Sequence, residues 1–187
     1  MSVKKVFCII CVLLCLTGCA GEDSMDRALA LRSRFQQSGG CTFQAEITAD
    51  YGQTLHTFVL DCIADPMGSV GFTVVSPESI SGITGEISAE GGKLTFDDKV
   101  LAFQTLAQGQ INPVSAPWVI MRCLSAGYLT AAGEEGGLLR LSINDSYEQD
   151  ALHTDIWLDK NDLPVYGEIL WEGRRILSVK VENFVFV

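Results

Sequence analysis

Residues 152–187 read LHTDIWLDKNDLPVYGEILWEGRRILSVKVENFVFV, and their alternation decides the fold. Before the turn Asp159-Lys160-Asn161-Asp162, the even positions Leu152, Ile156 and Leu158 are apolar; after it, the odd positions Leu163, Val165, Ile169 and Trp171 are. A period of two interrupted by Asp, Asn and Gly is the pattern of half-buried antiparallel strands. Pairing across the turn predicts Ile156 opposite Val165 and Leu152 opposite Ile169 on the core face. Trp157 then meets Pro164, Asp155 meets Tyr166 and His153 meets Glu168 on a wetter face. A last strand aligns Leu177, Val179 and Val181. They reach the same core through an odd connection, Glu172-Gly173-Arg174, in which glycine absorbs the twist.

The same period runs upstream. In CTFQAEITA (41–49) the odd positions are apolar or small, and in HTFVLDCIA (56–64) His56, Phe58, Leu60 and Cys62 share a face. A hairpin around Tyr51-Gly52 sets Phe43 against Leu60, Ala45 against Phe58 and Cys41 against Cys62, because a one-residue slip would turn one strand over. Opposed cysteines lie within disulfide reach, so a Cys41–Cys62 bridge worth roughly 3 kcal/mol is expected, with two buried thiols as the alternative. Further strand signals occupy 69–76, 82–90, 92–98 and 99–104, then 137–145. No repeat of 20–50 residues occurs.

Two segments follow a helical period instead. Residues 23–38 space Met25, Leu29, Leu31 and Phe35 between an Asp23 or Ser24 cap and Gly39-Gly40. Residues 113–129 place Ser115 as a cap and Pro117 in the first turn, then Trp118, Val119, Ile120, Met121, Cys123 and Leu124 cover most of the circumference. A helix apolar nearly all round is buried against a sheet or covers an apolar cavity.

The N-terminus sets the compartment. Val6 to Leu16 are eleven apolar residues after Lys4 and Lys5, short of the ~20 a bilayer-spanning helix needs, and have the form of a secretory signal. Leu16-Thr17-Gly18-Cys19 resembles the bacterial lipobox, which implies acylation of Cys19. Residues 1–18 are then a signal peptide, 19–23 a lipidated tether, and 24–187 a single domain. Lys4 and Lys5 are the only charges in the signal segment, so the remaining chain holds 11 basic and 23 acidic residues, a net −12. Such a chain does not bind nucleic acid, which requires clustered Lys and Arg. Nor does it adhere to anionic headgroups through protein charge. Membrane attachment rests on the lipid at Cys19, placing the protein outside the cytoplasm on the cell membrane, or on the outer membrane in an organism that has one.

The stretch DIWLDKNDLPVYGEILWEGRRILSVKVENF resembles the C-terminal hairpins of the LolA/LolB lipoprotein-carrier superfamily. The matching positions are Asp155, Trp157, Asp159, Leu163, Pro164 and Gly173. GFTVVSPESI around Pro77, GGKLTFDDKV and the Pro-rich approach to the helix at 113–124 follow in the family's order. The resemblance implies an α+β fold: a strongly curved antiparallel β-sheet, an incomplete barrel, with helices covering its concave side. It also implies an apolar cavity for an acyl chain, lipid or lipoprotein, for which Phe72, Phe103, Trp118, Met121 and Leu124 are the lining candidates. An acylated Cys19 fits the anchored branch of the superfamily rather than a soluble shuttle.

Chemistry-bearing patterns are sparse. The two histidines, His56 and His153, read as a packed residue and a cross-strand partner of Glu168. No HExxH, GxSxG, P-loop or GxGxxG pattern occurs, and Asp159–Asp162 lacks the glycine and distal glutamate of a calcium loop. No catalytic residue, metal or cofactor is therefore expected. The expected function is binding of a hydrophobic ligand. The alternative is an envelope or germination-type assembly or regulatory lipoprotein with a filled core, acting through protein contacts. Expression with labelled palmitate should mark the chain, and Cys19→Ser should abolish the label. Label retained by the Cys19→Ser chain, or absent from both, would remove the anchor.

Overall fold

The computed structural model describes residues 20–65, 68–89, 91–95, 106–148 and 151–187. They form β1 (Cys41–Asp50), β2 (Leu55–Ala64), β3 (Val70–Ser76), β4 (Thr84–Ser88), β5 (Gly91–Thr95), β6 (Tyr128–Glu135), β7 (Leu138–Asn144), β8 (His153–Leu158), β9 (Pro164–Trp171) and β10 (Arg174–Phe186). All pair antiparallel in one sheet of order β5-β4-β3-β2-β1-β10-β9-β8-β7-β6. Helix α1 (Ala20–Gln37) precedes the strands, and α2 (Ala116–Ala126) lies between β5 and β6 in the chain. Among the described residues nothing joins β5 to β6, so the barrel is incomplete.

The sheet curves around α2. That helix touches β2, β10, β8 and β7, and β2 and β7 stand five strand steps apart. Five steps in a flat sheet span roughly 24 Å, whereas a helix with its side chains is only about 10–12 Å across. Only a wrapped sheet can contact one short helix from both flanks. β-Bulges supply the bend. One opposes β9 within Arg175–Leu177, another opposes β1 near Asn183 (φ +54°), and a third lies in β6 between Leu129 and Ala131.

α2 fills the hollow. Ala116, Pro117, Val119, Ile120, Met121, Cys123, Leu124 and Ser125 are buried. Ile120 packs so tightly over β9 that a Cβ on Gly167 would come within 2.8 Å of its Cδ1. Ser115 holds the N-cap position of α2, but its side chain makes no capping bond there; its Oγ donates to Asn112 O at 2.6 Å. A short 3-10 turn, Pro113–Ser115, precedes α2 and is capped by Asn112, whose Oδ1 accepts from Val114 N at 3.1 Å. At the other end Arg32 of α1 donates to the carbonyls of Leu124 (3.0 Å), Cys123 (3.3 Å) and Gly127 (2.8 Å). Leu124 O is one of the acceptors that a helix C-terminus leaves unpaired, while Cys123 O also accepts from Gly127 N at 3.0 Å. α1 buries Ser24, Ala28, Leu31 and Phe35, while Leu29 is exposed. It begins at Ala20, so the residues expected as a tether form its first turn.

Both hairpins pair two residues away from the expected register. Ile156 lies opposite Gly167 and Asp155 opposite Glu168: the turn takes in Leu163, with Asp159 Oδ1 accepting from Asn161 N at 2.8 Å and Leu163 N at 3.0 Å, and a bulge at Val165 adds the second residue of the shift. Likewise Ala45 faces Leu60 and Phe43 faces Cys62. The first hairpin turns through Tyr51–Thr54, with Tyr51 N donating to Thr54 O at 3.0 Å. A shift of two keeps each face but moves Cys41 opposite Ala64. This corrects the expected Cys41–Cys62 disulfide: Cys41, Cys62 and Cys123 are buried free thiols. The connection between β9 and β10 is also shorter than expected. Glu172 (φ +51°) and Gly173 (φ +75°) form a two-residue turn, and the bulge after Arg175 restores the parity that buries Leu177, Val179 and Val181. His56 is exposed at the end of β2, its ring 5.6 Å from Tyr51.

Burial pushes Cys41 up to about 12 and Cys123 up to about 11, and raises Cys62 as well. Alkylation of the denatured, unreduced protein followed by peptide mapping should recover all three as alkylated peptides, with the folded protein protecting them. A Cys41–Cys62 cross-linked peptide would overturn the register. Arg32→Ala should lower stability by about 2 kcal/mol, the scale of charge-assisted hydrogen bonds to buried carbonyls. A chemical-denaturation midpoint unchanged at constant slope would refute that role.

Candidate functional site

Trp118, Met121, Arg122 and Ser125 stand at i, i+3, i+4 and i+7 along α2, which places them on one helical stripe. Together with Ala126 they form one wall of a crevice of about 160 Å³; Asp65, Gly68 and Ala89 form the other. The opposite wall comes from the connection after β2 and the end of β4. Asp65 turns the chain there, donating its N–H to Ser69 O at 2.9 Å and accepting from Gly68 N at 3.1 Å.

Each wall residue is held. Trp118 is half-buried, and its Nε1 donates to Gly68 O at 3.3 Å, pinning the ring across the mouth. The Arg122 guanidinium lies over that ring, 5.2 Å from its centroid, in cation–π geometry. Met121 is buried, its Sδ 3.8 Å from Cys41 Sγ. Ser125 Oγ donates to Arg122 O at 3.2 Å, so its polar group is satisfied within the helix. The walls are thus apolar at Trp118, Met121, Ala126 and Ala89, with one acid, Asp65, and one base, Arg122.

Of the five residues expected to line a cavity, the structure brings Trp118 and Met121 together in this crevice. Phe72, on β3, and Leu124, on α2, are core residues, 5% and 2% exposed; Met121 is as buried, at 1%, and meets the crevice only as its floor. Phe103 lies outside the described residues, as does Cys19. The sequence reading missed Arg122, Ser125 and Ala126, although their offsets from Trp118 were available as a helical stripe. Asp65, Gly68 and Ala89 carried no such signal, since topology alone brings them there.

Depressions of about 360 Å³ over β6 and β7, and about 300 Å³ over β1, β2 and β3, are shallower and open to solvent. The first is lined by Glu134, Glu135, Arg140 and Ser142 among small residues. Beside it Asp155 is buried, accepting from Arg140 Nη2 at 2.7 Å and from Ser142 Oγ at 2.6 Å. Burial opposes ionisation of Asp155, but these two hydrogen bonds and the nearby charges of His153 and Arg140 together outweigh it and hold the pKa below the usual carboxylate value. His153 Nε2 lies 3.3 Å from the same carboxylate, and its Nδ1 faces Asn144 Oδ1 at 2.8 Å. Serine, histidine and aspartate meet here without nucleophile–base geometry, because the hydroxyl proton points at the carboxylate and not at the imidazole. Among the described residues no group of three His, Cys, Asp or Glu could hold a metal ion. No helix among them is long and apolar enough to cross a membrane.

No protein-family model and no curated protein matches the chain. Solved structures do. An uncharacterized conserved protein from Thermus thermophilus aligns with a TM-score of 0.47 at 13% identity, over 88% of each chain. An outer membrane lipoprotein-sorting protein domain from Vibrio parahaemolyticus gives 0.42 at 9% identity, over 88% of this chain and 92% of that one. A LolA superfamily protein from Nitrosomonas europaea gives 0.41 at 6% identity, over 84% and 92% respectively.

Proposed function

We propose that this protein is an extracytoplasmic lipoprotein, anchored through acylated Cys19, that binds the end of a hydrophobic chain between Trp118 and Met121 and catalyses no reaction. The observation that carries the reading is the crevice itself, a recess with an aromatic mouth and a thioether floor on an otherwise buried helix. Its volume of about 160 Å³ is close to that of the ~150 Å³ engineered apolar cavity that takes a benzene ring. It therefore accepts about six carbons, the end of one chain rather than a whole lipid. At about 0.8 kcal/mol per buried methylene this gives roughly 5 kcal/mol before ordering costs. Binding of that order is weak and exchangeable.

A second reading has its own support. On the outer face Thr42 pairs with Ile63 on one side and Val185 on the other, and these two side chains are 71% and 57% exposed. Such an apolar row suits an assembly or regulatory role through contact with another envelope protein.

Calorimetric titration of the full chain carrying Cys19→Ser with octyl glucoside, below its micelle concentration, separates the two. Saturable binding that Ala126→Phe weakens at least tenfold, by filling the crevice, is expected. Absence of saturable binding, or binding indifferent to Ala126→Phe, would refute the crevice and favour the outer face.

A further inference from the structure

Arg122 is the one charged residue of α2. The chain is strongly acidic, with 23 Asp and Glu against 13 Lys and Arg, so a guanidinium has carboxylates in excess to choose from. The ion pairs among the described residues engage Arg27, Arg140, Arg174, Arg175 and Lys180. Arg122 makes none of them. Its charge is instead parked over the Trp118 ring, at the rim of the crevice on α2. The guanidinium sits over the ring and is exposed at the rim, and its N–H groups can donate to a planar or tetrahedral anion there. Ser125, whose hydroxyl already serves Arg122 O, offers no competing donor.

We infer that the ligand is a single-chain anionic amphiphile: a carboxylate or phosphate head held at the Arg122 edge, its tail running past Trp118 to Met121. This rests on the crevice being the binding site. Head and tail are then read by different atoms. The tail contributes apolar area that any alkyl chain supplies, while the head contributes a charge-assisted contact available only to an anion. The same arrangement discriminates against a cationic head, which would meet the guanidinium.

Three eight-carbon probes separate these contributions: octanoate, octyl phosphate and neutral octyl glucoside, titrated into the full chain carrying Cys19→Ser. Both anions should bind more tightly than the glucoside, and Arg122→Gln should weaken them about fivefold, the scale of a partly exposed ion pair. The glucoside should be unaffected, and Arg122→Lys should recover part of the loss because it restores charge without the planar fork. Raised ionic strength should weaken the anions alone. Preference for octanoate would identify a free fatty acid; preference for octyl phosphate would identify a phospholipid-derived chain. Equal affinity of all three probes for the unaltered chain, or an Arg122→Gln effect that falls equally on the glucoside, would overturn the head-group inference and leave the crevice intact. Failure of every probe to bind would overturn the crevice itself.

Discussion

The rest of the structure depends on drying a helix that has almost no wet side. α2 carries eight buried residues among its eleven, and a helix of that kind cannot lie on a flat sheet with one face in water. Three local devices meet the constraint. The bulges in β6 and β10 bend the strands so that β2 and β7 approach the same helix from opposite flanks. Gly167 removes the side chain that would otherwise keep Ile120 off β9. Arg32 reaches from α1 to the carbonyls at the end of α2, where few backbone donors remain. Curvature, close approach and capping are thus three answers to one problem.

Alternation in the sequence made the faces of the strands legible but not their absolute pairing. A strand that slips by two residues keeps every apolar side chain on the core face, so the hydrophobic pattern is indifferent to that slip. Turn chemistry decides it, together with a bulge at Val165 in the second hairpin. Asp159 draws Leu163 into its turn through side-chain acceptance, and the first hairpin takes four residues between Asp50 and Leu55. The disulfide expectation failed for this reason, since it depended on absolute register while the face assignment did not. Bulges are the other feature that strict alternation hides, although they leave a trace. Val181 and Phe184 are both buried at a spacing of three, and Ile176 and Leu177 are buried consecutively. Each departure marks a place where β10 acquires an extra residue.

The site was legible only on the helical side. Trp118 and Met121 stood out because a tryptophan and a methionine on a Pro-initiated apolar helix have few other roles, and both reach the crevice. Phe72 and Leu124 have the same composition and the opposite fate. Whether an inward aromatic or aliphatic side chain lines a void or fills it depends on what faces it across the core, and that partner is set by topology. The far wall of the crevice belongs to residues 65, 68 and 89, more than 25 positions from Trp118. Arg122 was passed over because the surrounding pattern is so apolar. Yet a lone cation in such a stripe is the position where the helix meets something other than its own core.

In the proposed anchored state, a shallow crevice of modest affinity is sufficient. A lipid on Cys19 would hold the domain beside the bilayer, with α1 starting at Ala20. Ligands concentrated at that surface are presented at an effective concentration far above their bulk value, so occupancy does not require tight binding. The acidic remainder of the chain is repelled by anionic headgroups and keeps the protein surface from lying flat on them. That leaves the Arg122 edge as a local exception, a place where one negative head is accepted by a protein that otherwise turns such charge away. Under this proposal anchor, acidity and crevice would act together: the first would supply proximity, the second would prevent adhesion, and the third would select one chain end at a time.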